Sequence, residues 1–444
     1  MKWLKTNSER TAMIRKNVAV SFVLKMVAAV ITLIMVPLTL TCLGEYKNGV
    51  WLTISSMLVW IDQMDIGLGN GLRNRLAICV AHDDMLEARR TVSSTMAMLV
   101  CIIVPLTIVL VALVLTTDVH AFFNADPLLV PDLRTALLAA VILVCMTFVL
   151  KFIGNVYMGM QLPAVSNLII VTGQAIALAA TWLLLENGAA TFINVVIANT
   201  AAPLAVYLLA YPLTFGIKYP KLRPALSMVN LRVALSMGNI GLRFFWLQMA
   251  SVIQFMTASI LISKFFTPEM VTPYTIAYRY FSLVLVAFTV ICMPFWNATT
   301  DAYARGDMAW IRSANRRMTA ITMLFGAAMV VMVIVSPFVY HVWIAEKSHV
   351  PFAMTVMMAV YVFLLIASTR YSYFLNGIGA LRLQLYMTVS VVVFIPLAWY
   401  VSQLTHNIIS FMIVMCACIA PSVVVNKIQF SKILSGNANG IWKI

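Results

Sequence analysis

Five basic residues, Lys25, Lys151, Arg243, Arg279 and Arg370, fall inside stretches that are otherwise apolar enough to cross a bilayer. A charge at the centre of a span costs at least about 2.5–3.5 kcal/mol, so such a residue usually faces a cavity, a partner or a nearby interface. Buried cations are suited above all to holding an anion through charge-assisted hydrogen bonds. Two acids, Asp62 and Asp65, lie i, i+3 on the face of Ser55. They are expected either to neutralise Lys25 or Arg243 or to couple an ion, and the first is favoured because a buried charge needs a partner. Other chemistry is missing from the sequence. The seven cysteines form no CxxC and no Cys/His cluster, and His82, His120, His341, His349 and His406 all sit in short polar connections. Neither a disulfide frame nor a metal site is therefore expected. Gly67, Gly69 and Gly71 follow an apolar helix rather than a strand, and no GxxxxGK[ST] occurs, so no nucleotide-driven motor is expected.

The elements that must position these bases follow from composition. The 444 residues are 62% hydrophobic and 10% charged, with a mean hydropathy of +0.96. Soluble domains carry about 25% charge, so a water-soluble globule is excluded. At roughly 37 residues per crossing and connection, the chain holds about 12 helical spans. They are expected at 17–43, 49–70, 92–117, 133–158, 164–185, 190–213, 233–264, 273–297, 318–341, 352–376, 384–404 and 408–427. The apolar run after the basic start is read as the first span, since it exceeds the roughly 7–15 residues of a signal-peptide core. The longest outer connection, about 117–132, is too short for a catalytic domain, which disfavours an enzyme such as a glycan polymerase.

Thirty Lys and Arg against 15 Asp and Glu give a net charge of +15, which on a soluble protein would suggest nucleic acid. With the N-terminus inside, however, the bases at 2–16, 73–90, 218–232, 305–317, 382 and 427–443 all fall on the cytoplasmic side, and only Lys47, Arg134, Lys264 and Lys347 fall opposite. The positive-inside bias then explains the charge without nucleic acid and places both termini in the cytoplasm of a multi-pass protein.

Residues 74–89 (NRLAICVAHDDMLEAR) and 297–312 (NATTDAYARGDMAWIR) align at an offset of 223, with Asn74, Ala81, Asp84, Met85 and Arg89 meeting Asn297, Ala304, Asp307, Met308 and Arg312. The same offset brings Trp51 onto Tyr274. Six spans therefore repeat, and because six is even the halves run parallel, as in two-lobed transporters. The expected fold is an all-α integral membrane protein with two six-helix lobes around a central cavity. The N-terminal lobe takes 1–214, a cytoplasmic connector 215–232 and the C-terminal lobe 233–444. Within this frame Lys25 lies roughly 12 Å, and Lys151 and Arg370 about 9–10 Å, from the cytoplasmic ends of their spans, with Arg243 at similar depth. Arg279 is placed about two turns from the outer end of its span. Lys25 shares a helical stripe with Ser21, Thr32 and Thr39, while Arg370 has mainly Phe363, Ile366 and Phe374 on its face. The alternative for any one base is snorkelling to the lipid headgroups.

The segment Leu43–Ala77, LGEYKNGVWLTISSMLVWIDQMDIGLGNGLRNRLA, resembles the region around span 2 of O-antigen and capsular repeat-unit flippases. These belong to the polysaccharide transporter branch of the multidrug/oligosaccharidyl-lipid/polysaccharide (MOP) exporter superfamily. The resemblance implies a secondary transporter of the bacterial inner membrane that moves an undecaprenyl-diphosphate-linked oligosaccharide between leaflets. It further implies that Lys25, Arg243 and Arg279 meet the diphosphate, and Lys151 and Arg370 are expected as further substrate-binding bases from their matching depth in the two lobes. No cofactor is expected beyond a proton or sodium gradient. The expected partners are the lipid-linked glycan, membrane lipids and polysaccharide polymerase machinery. The competing reading is a multidrug antiporter of the same superfamily, which needs cavity acids for cationic drugs.

Overall fold

The computed structural model describes residues 7–62, 67–233, 257–345, 347–380, 382–387 and 389–442. Every regular element among them is helical. In order these are α1 (Asn7–Asp62), α2 (Leu68–Ala81), α3 (Met85–Thr116), α4 (Val119–Phe123), α5 (Leu133–Leu150), α6 (Phe152–Gly159), α7 (Pro163–Glu186) and α8 (Phe192–Pro212). After the connector come α9, described over 257–265, then α10 (Pro268–Ala304), α11 (Met308–Ile344) and α12 (Phe352–Ile378). The last are α13 (Arg382–Met387), α14 (Val389–Thr405) and α15 (Ile408–Leu434). A bilayer leaves no water for backbone groups, so each crossing segment satisfies them internally as helix.

Nine helical stretches among the described residues are long and apolar enough to span a membrane. Twelve were expected, and each of the other three has its own explanation. Spans 1 and 2 share α1, which non-helical torsions at Gly44 (φ 69°, ψ 173°) divide into two arms. A left-handed φ of this kind is open to glycine without a Cβ clash. Span 11 is α14, with 17 residues, and most of span 7 lies in 234–256, outside the described residues.

The chain divides into two compact units, Met1–Met249 and Ala250–Ile444. In the first, Ile54, Leu68, Leu72, Phe152 and Phe215 are fully buried, and Phe152 stacks on Phe215 with ring centroids 5.8 Å apart. In the second, Phe281, Phe288, Tyr361, Phe374 and Phe430 form the equivalent centre, with Phe374 and Phe430 at 5.1 Å. The outer faces remain apolar, as Ile108, Leu324, Ile334 and Phe338 illustrate, which suits contact with lipid.

The repeat recurs bond for bond in the two units. Before α3, backbone N–H groups of His82, Asp83, Asp84 and Met85 donate to the carbonyls of Ile78, Val80, Cys79 and Asp83. Before α11, those of Arg305, Gly306, Asp307 and Met308 donate to Asp301, Tyr303, Ala302 and Gly306, so every donor and acceptor is shifted by 223 (305 − 82, 301 − 78 and so on). Asp83 (φ 57°) and Gly306 (φ 73°) take the same left-handed turn. The N-caps match as well, since Asp84 accepts from the Glu87 N–H and Asp307 from the Trp310 N–H, both at 2.9 Å.

Helix crossings repeat through glycine. A Cβ on Gly159 of α6 would stand 3.1 Å from the Arg73 carbonyl of α2, and one on Gly377 of α12 would stand 2.9 Å from the Trp296 carbonyl of α10. The offsets are 377 − 159 = 218 and 296 − 73 = 223, so both crossings use related residues to let two backbones approach. Small residues serve this purpose in membrane helices, where close packing replaces the hydrophobic drive.

Candidate functional site

The expected site residues fall into separate environments. Arg243 and Asp65 lie outside the described residues, and Asp62 is described only as the last residue of α1. Lys25, in the first arm of α1, is exposed and has no hydrogen bond or ion pair among the described residues. Its neighbours Phe22, Val23, Met26 and Val27 are exposed too. Along the stripe that singled it out, Thr32 donates to the Ala28 carbonyl (2.9 Å) and Thr39 to that of Val36 (3.2 Å), while the Ser21 hydroxyl is buried without a partner among the described residues. Threonine hydroxyls in apolar helices are commonly satisfied one turn back in this way, so they do not by themselves mark a cavity.

Lys151 is half-buried at a break in its span, being both the last cap of α5 and the first of α6. Its N–H bonds to the Thr147 carbonyl at 2.8 Å and its carbonyl accepts from Gly154 at 3.0 Å. The repeat accounts for the break. At the start of this span the offset between units is 219 (Ala136 N–H to Asp132, Thr355 N–H to Pro351), and at its end 218 (Leu162 N–H to Tyr157, Ala380 N–H to Leu375). The N-terminal unit thus holds one extra residue between these points, where Lys151 interrupts the helix, whereas α12 runs unbroken.

Arg279 is half-buried in α10, which begins at Pro268 rather than near 273. That earlier start sets Arg279 eleven residues into the helix. It stands about 17 Å along the axis from the start of α10.

Arg370 is the best defined of the five. It is 7% exposed, and its Nη2 donates to Asn315 Oδ1 and Thr319 Oγ1, both at 2.6 Å. The guanidinium also lies 4.6 Å from the Tyr371 ring centroid. Asn315 and Thr319 are one turn apart on α11, so Arg370 joins α11 to α12 through neutral acceptors, and its Nε remains buried without a partner. Reading along α12 alone found only Phe363, Ile366 and Phe374. The signal that could have located the site was the polar pair at i, i+4 on the preceding span. Among the described residues no carboxylate pairs with this charge. In α10–α15 the described acids are confined to helix ends, with Glu269 in the first turn of α10 and Asp301 in its last, where it pairs with Arg305 at 3.0 Å.

The basic block after span 2 is more organised than a solvated segment. Arg75 pairs with Glu87 at 2.7 Å, Arg90 lies 3.8 Å from the same carboxylate, and Arg89 donates to the Arg223 carbonyl at 2.9 Å. The connector is held further by the buried hydroxyls of Ser93 and Ser94, which accept from the N–H groups of Ala225 (3.1 Å) and Asn230 (2.9 Å). Arg312, the repeat mate of Arg89, donates to the Leu434 carbonyl at 2.9 Å. The repeated arginine thus holds the connector after α8 in the first unit and the last residue of α15 in the second. Beside the first clamp, Lys218 lies 4.8 Å from the Tyr157 ring, and burial pushes the Tyr219 phenol above its usual range.

No protein-family profile and no curated protein sequence matches the chain. Solved structures do match in fold. One is described as the inward-facing conformation of a multidrug resistance MATE family transporter of the MOP superfamily. It has a TM-score of 0.79 at 14% identity, over 95% of this chain and 98% of that one. A second, the outward-facing conformation of such a transporter, gives 0.61 at 14% identity over 96% of each chain. A third, MATE in complex with MaD3S, gives 0.68 at 14% identity, over 96% of this chain and 97% of that one. The chain therefore has the two-lobed, all-helical fold of these membrane transporters.

Proposed function

We propose that this protein is a secondary transporter that moves a polyprenyl-diphosphate-linked glycan across the bacterial inner membrane by alternating access, with both termini in the cytoplasm. The observation that carries this reading is the sign of the charges inside the spans. Lys25, Lys151, Arg279 and Arg370 stand at or near the interior of their spans, whereas the described acids of α10–α15 stand only at helix ends. A diphosphate needs cations at that depth, and an exposed ammonium such as Lys25 is free to meet it. Arg370 serves in this scheme by holding α11 against α12, and Lys25 and Arg279 are the ligands. The likeness to structures solved in inward- and outward-facing conformations supports alternating access. The resemblance of Leu43–Ala77 to repeat-unit flippases supports the lipid-linked substrate.

A second reading has its own support, since the matched structures are described as multidrug resistance transporters. It requires a membrane-embedded carboxylate for a cationic drug, and Asp62 and Asp65 are the acids that the sequence offers near the end of span 2. Reconstitution separates the two. Proteoliposomes of the purified chain should translocate a fluorescent polyprenyl-diphosphate glycan, and Lys25→Ala should lose that activity while Lys25→Arg keeps part of it. Efflux of a cationic dye without glycan translocation would establish the second reading and dismiss the first.

A further inference from the structure

The second long helix of each unit ends on the same pieces, arranged differently. In the N-terminal unit Asn124 (φ 54°) caps α4, and its N–H bonds back to the His120 carbonyl. The His120 ring then reaches the start of α5, with Nε2 3.0 Å from the Val130 carbonyl. Since that partner only accepts, Nε2 carries the proton and donates. In the C-terminal unit Ala345 (φ 48°) bonds back to the His341 carbonyl, and Val350–Pro351 leads into α12 as Val130–Pro131 leads into α5. The correspondence is 341 − 120 = 221, 345 − 124 = 221 and 350 − 130 = 220.

Two differences change the result. The helix of the first unit breaks after Thr116 and restarts as α4, whereas α11 continues to Ile344. The link from the left-handed residue to the Val-Pro pair is also one residue shorter in the second unit, four residues against five. There His341 and Val350 become walls of a single cavity of about 450 Å³.

The lining of this cavity is chemically specific. Tyr340, His341, Ser348, His349 and Thr355 supply hydroxyl and imidazole groups, and Phe352, 56% exposed, supplies an apolar ring. No ammonium, guanidinium or carboxylate is among the described lining residues. The Tyr340 hydroxyl is buried, with the Thr355 side chain as its neighbouring polar group. The volume falls in the roughly 300–1,000 Å³ range of small-molecule sites. An anion would find no fixed cation among these residues and a cation no acid. A sugar ring matches both parts of the lining, offering hydroxyls to the polar wall and a C–H face to the aromatic one.

We infer that this cavity docks an uncharged sugar ring of the transported glycan, apart from the bases that meet its diphosphate. The inference rests on the flippase reading, under which the cavity lies at the outer end of the C-terminal unit, where the glycan is delivered. The test uses the full chain in lipid nanodiscs and, as probe, the free oligosaccharide released by mild acid from the host's lipid-linked pool. Saturation-transfer NMR should show contact with the sugar ring protons. Two substitutions at exposed positions leave the helix core alone: His349→Trp, to block the mouth, and Phe352→Ala, to remove the ring face. The first should abolish the signal and the second weaken binding about tenfold, with melting temperatures held at the wild-type value. Absence of transfer to the wild type, or transfer unchanged in both variants, would overturn the cavity site. Translocation of the lipid-linked glycan is measured on the same preparation. Translocation without sugar contact refutes the cavity alone, and sugar contact without translocation refutes the flippase reading.

Discussion

Replacing Asn315 with alanine would remove one of the two side-chain acceptors that the Arg370 guanidinium holds at 2.6 Å, leaving Thr319 as the other. Arg370 is only 7% exposed, so water cannot readily take the vacated position. A hydrogen bond to a charged group is worth about 1.5–3 kcal/mol, and that whole amount is lost when a buried donor is left unanswered. Interhelical bonds between neutral groups in membranes average nearer 0.6 kcal/mol, which makes the charged case the larger effect. The C-terminal unit runs from Ala250 to Ile444. For a domain of this size 1 kcal/mol shifts melting by roughly 2–4 °C, so Asn315→Ala should lower it by about 3–12 °C. Arg370→Met should cost less than the sum of its broken bonds, because it also removes an uncompensated buried charge. The pair Asn315→Ala with Arg370→Met should be markedly non-additive, since both act on one contact. Thermal unfolding of the purified chain in detergent measures all three, alongside binding of the lipid-linked glycan. If Arg370→Met melts like the wild type yet loses glycan binding, Arg370 is a substrate ligand and the clamp reasoning is wrong.

Other predictions follow from the repeat and the charge pattern. Gly377→Ala places a Cβ 2.9 Å from a backbone carbonyl that cannot move aside, whereas Gly154→Ala meets only the tip of the Ser166 side chain. Overpacking costs about 1–3 kcal/mol against a helix-propensity gain near 1, so the first should lower the melting temperature and the second should not; equal behaviour would dismiss the close-crossing account. Asp84→Ala and Asp307→Ala should each cost about 1 kcal/mol through loss of a repeated N-cap, and unfolding curves that do not move for either would remove the caps from the argument. Cysteines introduced at the exposed positions Asn124 and His349 should react with an impermeant maleimide added to intact cells, and one at Asn437 should not. Labelling at Asn437 would invert the proposed orientation.

Apolar run length, the bias of Lys and Arg between connections and the 223-residue offset were all readable in the chain, because each is a local or periodic property. Helix type, the near-complete set of spans and the repeated turn before α3 and α11 depend on such properties, since a bilayer accepts few other solutions for the backbone. What the bases do depends on residues distant in sequence. Asn315 and Thr319 stand about fifty positions from Arg370, and only the packing of α11 on α12 brings them to 2.6 Å. Within the stripe of Lys25, the Thr32 and Thr39 hydroxyls bond back to their own helix, which spacing alone does not reveal. Arg89 and Arg312 matched between the halves as if by charge alone, but folding gave each a distant backbone carbonyl, that of Arg223 in the connector and that of Leu434 at the end of α15. One residue of difference in an outer link, together with a break in one helix but not the other, separates the His120 contact from the cavity beside His341. Composition and periodicity set which elements form. Which polar groups meet depends on side-chain reach across helix contacts, and there a shift of one residue changes the partner.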